Sequence, residues 1–375
     1  QGLGLAAKGR SARFATGGFA GTGSAALDGS MVQADALSID LPDLAVKGSG
    51  SWQRDGATAA TLSIAAGALK PLGEIFQVML AGSGDAKISV QRQGPGASWQ
   101  ADLSLHGQAL QLPQPDLQML VDGKLQATAS LAVAPDGAIA VNRLQLETPR
   151  LGLTGKARFT ANLESVTGEA SVTAADLGFL SKTAGTPLAG RGTAAVTASG
   201  KTADPAVRAA ITLAGLRVAG VQLGQAAIKA SVESAVRAPH GQVKLTASPP
   251  PDWPALQGIQ AESGFALASE RLSLTGIAIH AGGAAATGQV ALDLRTNLAE
   301  GAIGIDVPSL QTLSEPLPVR LGGTAHASLH LAPRAGRQQV TSHVNAGNLQ
   351  VMTAKQKPTA QAQTLAADAE VTIGR

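Results

Sequence analysis

Three short stretches carry residue types that could do chemistry. "AVTASGKT" (195–202) ends in Gly200-Lys201-Thr202 like a phosphate-binding loop. Its first glycine is replaced by Ala195, and Pro205 stands where a helix should begin. Such a loop needs backbone N–H groups at a helix amino terminus, so the stretch reads as a strand end. "HASLH" sets His326 and His330 four apart, the spacing of a zinc pair on a helix. The segment alternates like a strand, where i and i+4 lie roughly 13 Å apart, too far to share one ion. "GGFAGTGS" (17–24) is a loose glycine cluster that reads as turns. His106, His240, His280 and His343 show no repeated acidic companion in the sequence, and no Ser, His and Asp set suggests a nucleophile elbow. No catalytic residue, cofactor or metal is expected, and the chain does not read as an enzyme.

Composition narrows the field further. The 29 Lys and Arg are scattered among 26 Asp and Glu, for a net charge of +3. Nucleic-acid binders concentrate their cations, often with interleaved aromatics, and neither feature is present. Cysteine is absent, which removes disulfides, thiolate metal sites and a Cys nucleophile. No run approaches the ~18 apolar residues of a membrane-spanning helix. The amino terminus, "QGLGLAAKGR", lacks a signal-peptide pattern, and both ends break off within alternating sequence, as in a piece of a longer protein. Hydrophobic residues make up 44% of the chain but aromatics only 2%, with much alanine, so any core would be thin and extended.

The elements that must position anything here are strands. In "LQLETPRLGLTGKARFTANL" (144–163), Leu144, Leu146, Leu151, Leu153, Phe159 and Leu163 alternate with polar residues, with a pause at Pro149. Leu125–Val133 and Val290–Leu294 alternate likewise, and Gly, Asp-Gly and Pro punctuate the chain at hairpin intervals. A longer repeat overlies the strands. "LSIDLPDLAVKG" (37–48), "LQLETPRLGLTG" (144–155) and "LSLTGIAIHAGG" (272–283) align from a first aliphatic to a closing Gly. Helix-like runs ending in Gly recur at 69–84, 177–192 and 310–323, and "LSLHG" (103–107), "ITLAG" (211–215) and "HVNAG" (343–347) come after them. The helix-like runs read as lids or end-caps on the sheet. The second period is longer, and an insertion around "SPPPDWP" (248–254), an extended surface loop, accounts for the excess. The chain thus divides into three repeat units, 1–140, 141–270 and an incomplete 271–375, with no linker between them.

The stretch "AADLGFLSKTAGTPLAGRGTAAVTASGKTADPAVRAAITLAGLRVAGVQLGQAAIKASV" (174–232) resembles the repeats of the TamB and AsmA-like proteins of Gram-negative envelopes. The shared pattern is an Asp-Leu opening to a short helix, a "PL-x-G" exit, a strand closing in "SGK", an Ala-Asp-Pro turn and a strand entering "LxxLxV". The 37–48 and 144–155 elements are similar to that family's strand pairs. The resemblance implies a long β-sheet bent into a taco-like trough with an apolar concave face. It further implies an inner-membrane-anchored protein that crosses the periplasm and moves phospholipid toward the outer membrane. An outer-membrane barrel partner of the TamA type would be engaged through parts outside this chain.

The expectation is therefore all-β: one long, continuous, mostly antiparallel sheet with a few short helices and tandem repeats. An exposed aliphatic strip of that size needs a cover, and acyl chains are one. The expected lipid-groove residues are Leu103, Leu105, Leu144, Leu146, Leu151, Leu153, Phe159, Ile211, Leu213, Leu292 and Leu294. The rival is a tandem array of β-sandwiches in a surface adhesin, against which the absence of Tyr, the scarcity of Trp and the lack of polar linkers count.

Overall fold

The computed structural model describes residues 20–41, 43–54, 56–70, 79–112, 114–181, 185–251, 253, 258–314, 319–352 and 358–373. It is all-β, its paired strands antiparallel. The chain separates into two units: the first runs through Phe179 with 199–202, and the second takes 180–198 and the remainder from Ala203.

Unit 1 contains β1 (Ala20–Asp28), β2 (Met31–Leu41), β3 (Leu44–Gln53), β4 (Thr58–Ala66) and β5 (Ala81–Arg92). It continues with β6 (Trp99–Gln111), helix α1 (Pro115–Val121), β7 (Lys124–Val133), β8 (Ile139–Glu147), β9 (Leu151–Phe159) and β10 (Ser165–Ala174). Each strand pairs with the next, a pure meander. In unit 2, β11 (Leu188–Lys201) precedes β12 (Asp204–Val218), whose end carries the two-residue β13 (Val221–Gln222). From β12 a second meander runs through β14 (Gln225–Glu233), β15 (His240–Ala247), β16 (Ile259–Ala268), β17 (Arg271–Ala281) and β18 (Ala284–Asp293). It ends with β19 (Leu298–Val307), helix α2 (Leu310–Leu313), β20 (Arg320–Arg334), β21 (Arg337–Met352) and β22 (Pro358–Ile373). The strand sequences explain themselves: alternating aliphatic and hydroxyl or charged residues suit a pleat with one wet face. Two-residue turns with both residues at positive φ, such as Ala335-Gly336, match the twist of the hairpins they close.

Because direction alternates at every strand, each unit has two rims. In unit 1 one rim carries the connection after β4 and α1; in unit 2 one rim carries the Pro-rich connection after β15 and α2. The opposite rims have strand-to-strand turns and loops, with a 3-10 turn at Ala161–Leu163 and no α-helix among the described residues. The few deeply buried residues, including Ala66, Leu110, Val121, Leu216, Val307 and Ser314, all sit at the helix-bearing rims. Only there does a second layer cover the sheet, and within each unit the described strands otherwise touch their ladder neighbours. Trp253, in the Pro-rich connection, donates its indole N–H to the Thr312 carbonyl of α2 at 3.3 Å, so that residue is tied down rather than free on the surface. Pro254 and Asp252 lie outside the described residues, as do parts of each helix-like run (71–78, 182–184 and 315–318) and residues 1–19.

The repeat is visible in backbone geometry. Three strands carry an extra residue at positive φ, at Ala109, Gly215 and Asn348. Opposite each stands a glycine at strongly positive φ: Gly82, Gly190 and Gly323. A second set of bulges precedes Leu37, Leu144 and Ile277. The structural counterpart of Leu37 and Leu144 is thus Ile277, five residues beyond Leu272 in the sequence alignment. Segment 272–283 runs through one bulged strand, not a hairpin. With that shift, each landmark gives the same longer second offset of 133 residues: Leu144 to Ile277, Gly190 to Gly323, Gly215 to Asn348. The excess is larger than a loop. From β5 to β11 are six strand steps, from β11 to β20 eight, leaving out the stub β13.

A turn in unit 2 gives an acid-side test. The Asp293 carboxylate accepts the backbone N–H groups of Thr296 at 2.8 Å and Arg295 at 3.0 Å. The bond from Thr296, the largest influence, helps hold its pKa below the ordinary carboxylate value. A lowered folded pKa means the stabilisation is complete above the unfolded value and vanishes as pH falls through the folded one. Asp293→Ala should therefore lower the urea midpoint at neutral pH, and its deficit against the parent should close below about pH 4. A deficit unchanged down to about pH 2 would remove the carboxylate from the explanation.

Candidate functional site

Residues directly opposite in an antiparallel ladder share a face. In unit 1 the register runs Ile39, Val46, Ile64, Ala86, Leu105, Ala127, Leu146, Leu153, Val172 across nine strands. The next row reads Leu37, Gly48, Leu62, Ile88, Leu103, Ala129, Leu144, Gly155, Ala170. Leu151 and Phe159 lie on the same face by parity along β9. In unit 2 the corresponding row spans ten strands: Ile211, Ile228, Leu245, Ala261, Ile279, Ala286, Ile305, Ala327, Val344, Ala367. Leu213 and Leu292 share that face. None of these rows contains a polar side chain.

The expected groove residues are thus gathered by unit, with one exception. Leu294 lies beyond the end of β18 in the turn to β19 and is 44% exposed. The alternation continued through the sequence, but the Asp293 side chain caps a turn there and ends the strand. Leu103, Leu105 and Leu144 are 37–38% exposed, high for leucine in a sheet, while Leu146, Leu151, Leu153, Phe159, Ile211, Leu213 and Leu292 are half-buried. Sequence parity missed the neighbours that complete the rows, such as Ile64, Val172, Ile228 and Ile305. Bulges reset the parity within strands, and only the ladder shows which residues stand side by side.

The opposite face is polar. In unit 1 one row is Ser38, Lys47, Ser63, Lys87, Ser104, Thr128, Gln145, Thr154, Ser171. This face corrects the reading of His106 and His343 as lacking a repeated acidic companion, and His326 has one as well. His106 Nδ1 stands 3.1 Å from Asp85, His326 Nδ1 is 2.9 Å from Asp306, and His343 pairs with Asp368. The companions lie on adjacent strands, where sequence spacing does not show them. Such exposed pairs contribute about 0–1 kcal/mol each and are surface stitching. His326 and His330 share β20 as expected of a strand, and among the described residues no group of three His, Cys, Asp or Glu could hold a metal. The "SGK" stretch ends β11, without a helix after it.

Two hollows also lie on the polar face, one in each unit. Both sit at the second set of bulges, where the extra residue raises the local twist. No helix among the described residues is long and apolar enough to cross a membrane. Compared with protein-family models, curated proteins and solved structures, the chain matches none.

Proposed function

We propose that this chain is a conduit segment for phospholipid acyl chains, in a protein of the TamB and AsmA-like type spanning the periplasm between inner and outer membrane. The sheet would curl so that its aliphatic face shelters the chains while head groups remain in water, and a barrel partner would be met by parts outside this chain. The observation that carries this reading is the set of wholly apolar rows, nine and ten strands long, on faces that among the described residues touch no second layer beyond the rim caps. Burying a methylene is worth roughly 0.8 kcal/mol, so shielding about eight of them against such a face gives about 6 kcal/mol. A row without polar interruptions has no fixed pocket, so a chain can shift from strand to strand at nearly constant energy. Supporting the reading are the resemblance of 174–232 and, against stacked sandwiches, that among the described residues of each unit no second sheet faces the first.

The test is native mass spectrometry with lipid extraction on the segment purified from a Gram-negative periplasm. Several phospholipids per chain are expected. They should be lost in Leu103→Asp with Leu144→Asp, since both side chains are solvent-accessible and flank Ala129 on the aliphatic face. A lipid-free, monodisperse parent protein would defeat the proposal.

A further inference from the structure

The hollow of unit 1 has a chemistry that the acyl-chain reading does not use, and its capacity to bind is independent of that reading. Its walls include Lys87 on β5, Asp102 and Ser104 on β6, Thr128 and Ser130 on β7, and Arg143 at the β8 bulge. The unit 2 hollow occupies the matching place, beside the β17 bulge at Thr275 and Gly276. There the cation is already neutralised: Lys244 Nζ lies 2.9 Å from Glu262. In unit 1 Lys156, on the strand after Arg143, is likewise engaged, by Glu169 at 2.9 Å, whereas Lys47 and Arg158 on the same face have no ion pair among the described residues. Lys87, Arg143 and Asp102 have no ion pair or side-chain hydrogen bond among the described residues, yet all three line one hollow.

We propose that this hollow binds a phosphorylated polyol, its phosphoryl group between Lys87 and Arg143 and a hydroxyl on Asp102. A guanidinium offers phosphate a bidentate fork and an ammonium a point charge. The serine and threonine hydroxyls supply further donors. Asp102 repels the phosphoryl group of either ligand, but only a polyol ester carries a separate hydroxyl for its carboxylate to accept, so it favours a polyol skeleton. Both a glycerophosphate lipid head group and a free polyol phosphate carry this chemistry.

The full chain is titrated by calorimetry with glycerol phosphate and, separately, inorganic phosphate. Flotation with phosphatidylglycerol and phosphatidylcholine vesicles runs in parallel. An open, hydrated site should bind glycerol phosphate with a Kd on the order of 1 mM and inorganic phosphate more weakly. Lys87→Gln and Arg143→Gln should each weaken glycerol phosphate about tenfold. Asp102→Asn should bring inorganic phosphate level with it, and Lys244→Gln in the other hollow should change nothing. All four side chains lie on the wet face, and circular dichroism confirms that the variants are folded. Capture by phosphatidylglycerol vesicles that Arg143→Gln abolishes assigns the phosphate to a lipid head group; binding of glycerol phosphate without vesicle capture assigns it to a free ester. No binding of glycerol phosphate, or binding indifferent to Lys87→Gln and Arg143→Gln, overturns the proposal.

Discussion

Gly323→Val should open the β20–β21 ladder, raising amide exchange there far above that of the parent. Gly323 has φ +108°, and a Cβ on it would lie 2.6 Å from the Gly347 carbonyl oxygen and 2.7 Å from that of Asn348. The bulge on β21 pushes both carbonyls toward this one position, so the strain is backbone against backbone and no side chain can swing aside. An unfavourable φ and a clash of this kind together cost about 3–4 kcal/mol. The same holds at Gly82, where the Gln108 and Ala109 oxygens are both at 2.6 Å. Gly29→Ala is the control: its φ is +57° but nothing lies within 4 Å, so about 1 kcal/mol is expected. Hydrogen exchange is the right readout because strands of an extended array contact only their neighbours and open locally. If valine at position 323 exchanged no faster than alanine at 29, the bulge would not be holding the register.

Ser314→Val should loosen α2 from the sheet by about 2–3 kcal/mol. Ser314 is 1% exposed, the most enclosed polar residue described. Its Oγ accepts the Leu321 N–H at 2.9 Å and can donate to the Gln311 carbonyl at 3.1 Å. Valine offers no acceptor and adds a methyl group to a closed site, leaving a buried N–H unpaired, which costs more than the bond itself contributes. Ser181 makes the matching contact seven residues ahead, accepting the Leu188 N–H at 2.9 Å, but is only half-buried. Water can replace its hydroxyl, so Ser181→Val should cost about 1 kcal/mol. Thermal melts combined with exchange at Leu321 and Leu188 separate the two; equal losses would mean burial is not what sets the cost.

The same two serines show what was legible in the sequence. "LGFLS" and "LQTLS" stand out as repeated words, but nothing in them says the hydroxyl reaches seven residues ahead to the next strand. Strand content was legible because Leu and Thr alternate without competing helical periods, and along β9 Leu151, Leu153 and Phe159 fall on one face as their alternation implies. Parity failed at bulges. The bulge at Gly276 lies inside "LSLTGIAIHAGG", so the third copy begins at Ile277, five residues past the Leu272 that the sequence alignment selects. Leu294 failed because the Asp293 side chain stops the strand one residue earlier. The histidine partners were out of reach for the same reason as the rows: Asp85 meets His106 through a ladder that joins residues 21 apart.

The two extra strand steps in the second period have a consequence for how such a chain can change length. A single added strand would reverse the direction of every strand after it, carrying the later caps to the opposite rim. Two strands leave polarity, rims and faces untouched. Width across the ladder is thus quantised in hairpins, each adding about 9.6 Å. A hairpin can thus be gained or lost while the strands after it keep their direction, their rims and the face each side chain occupies.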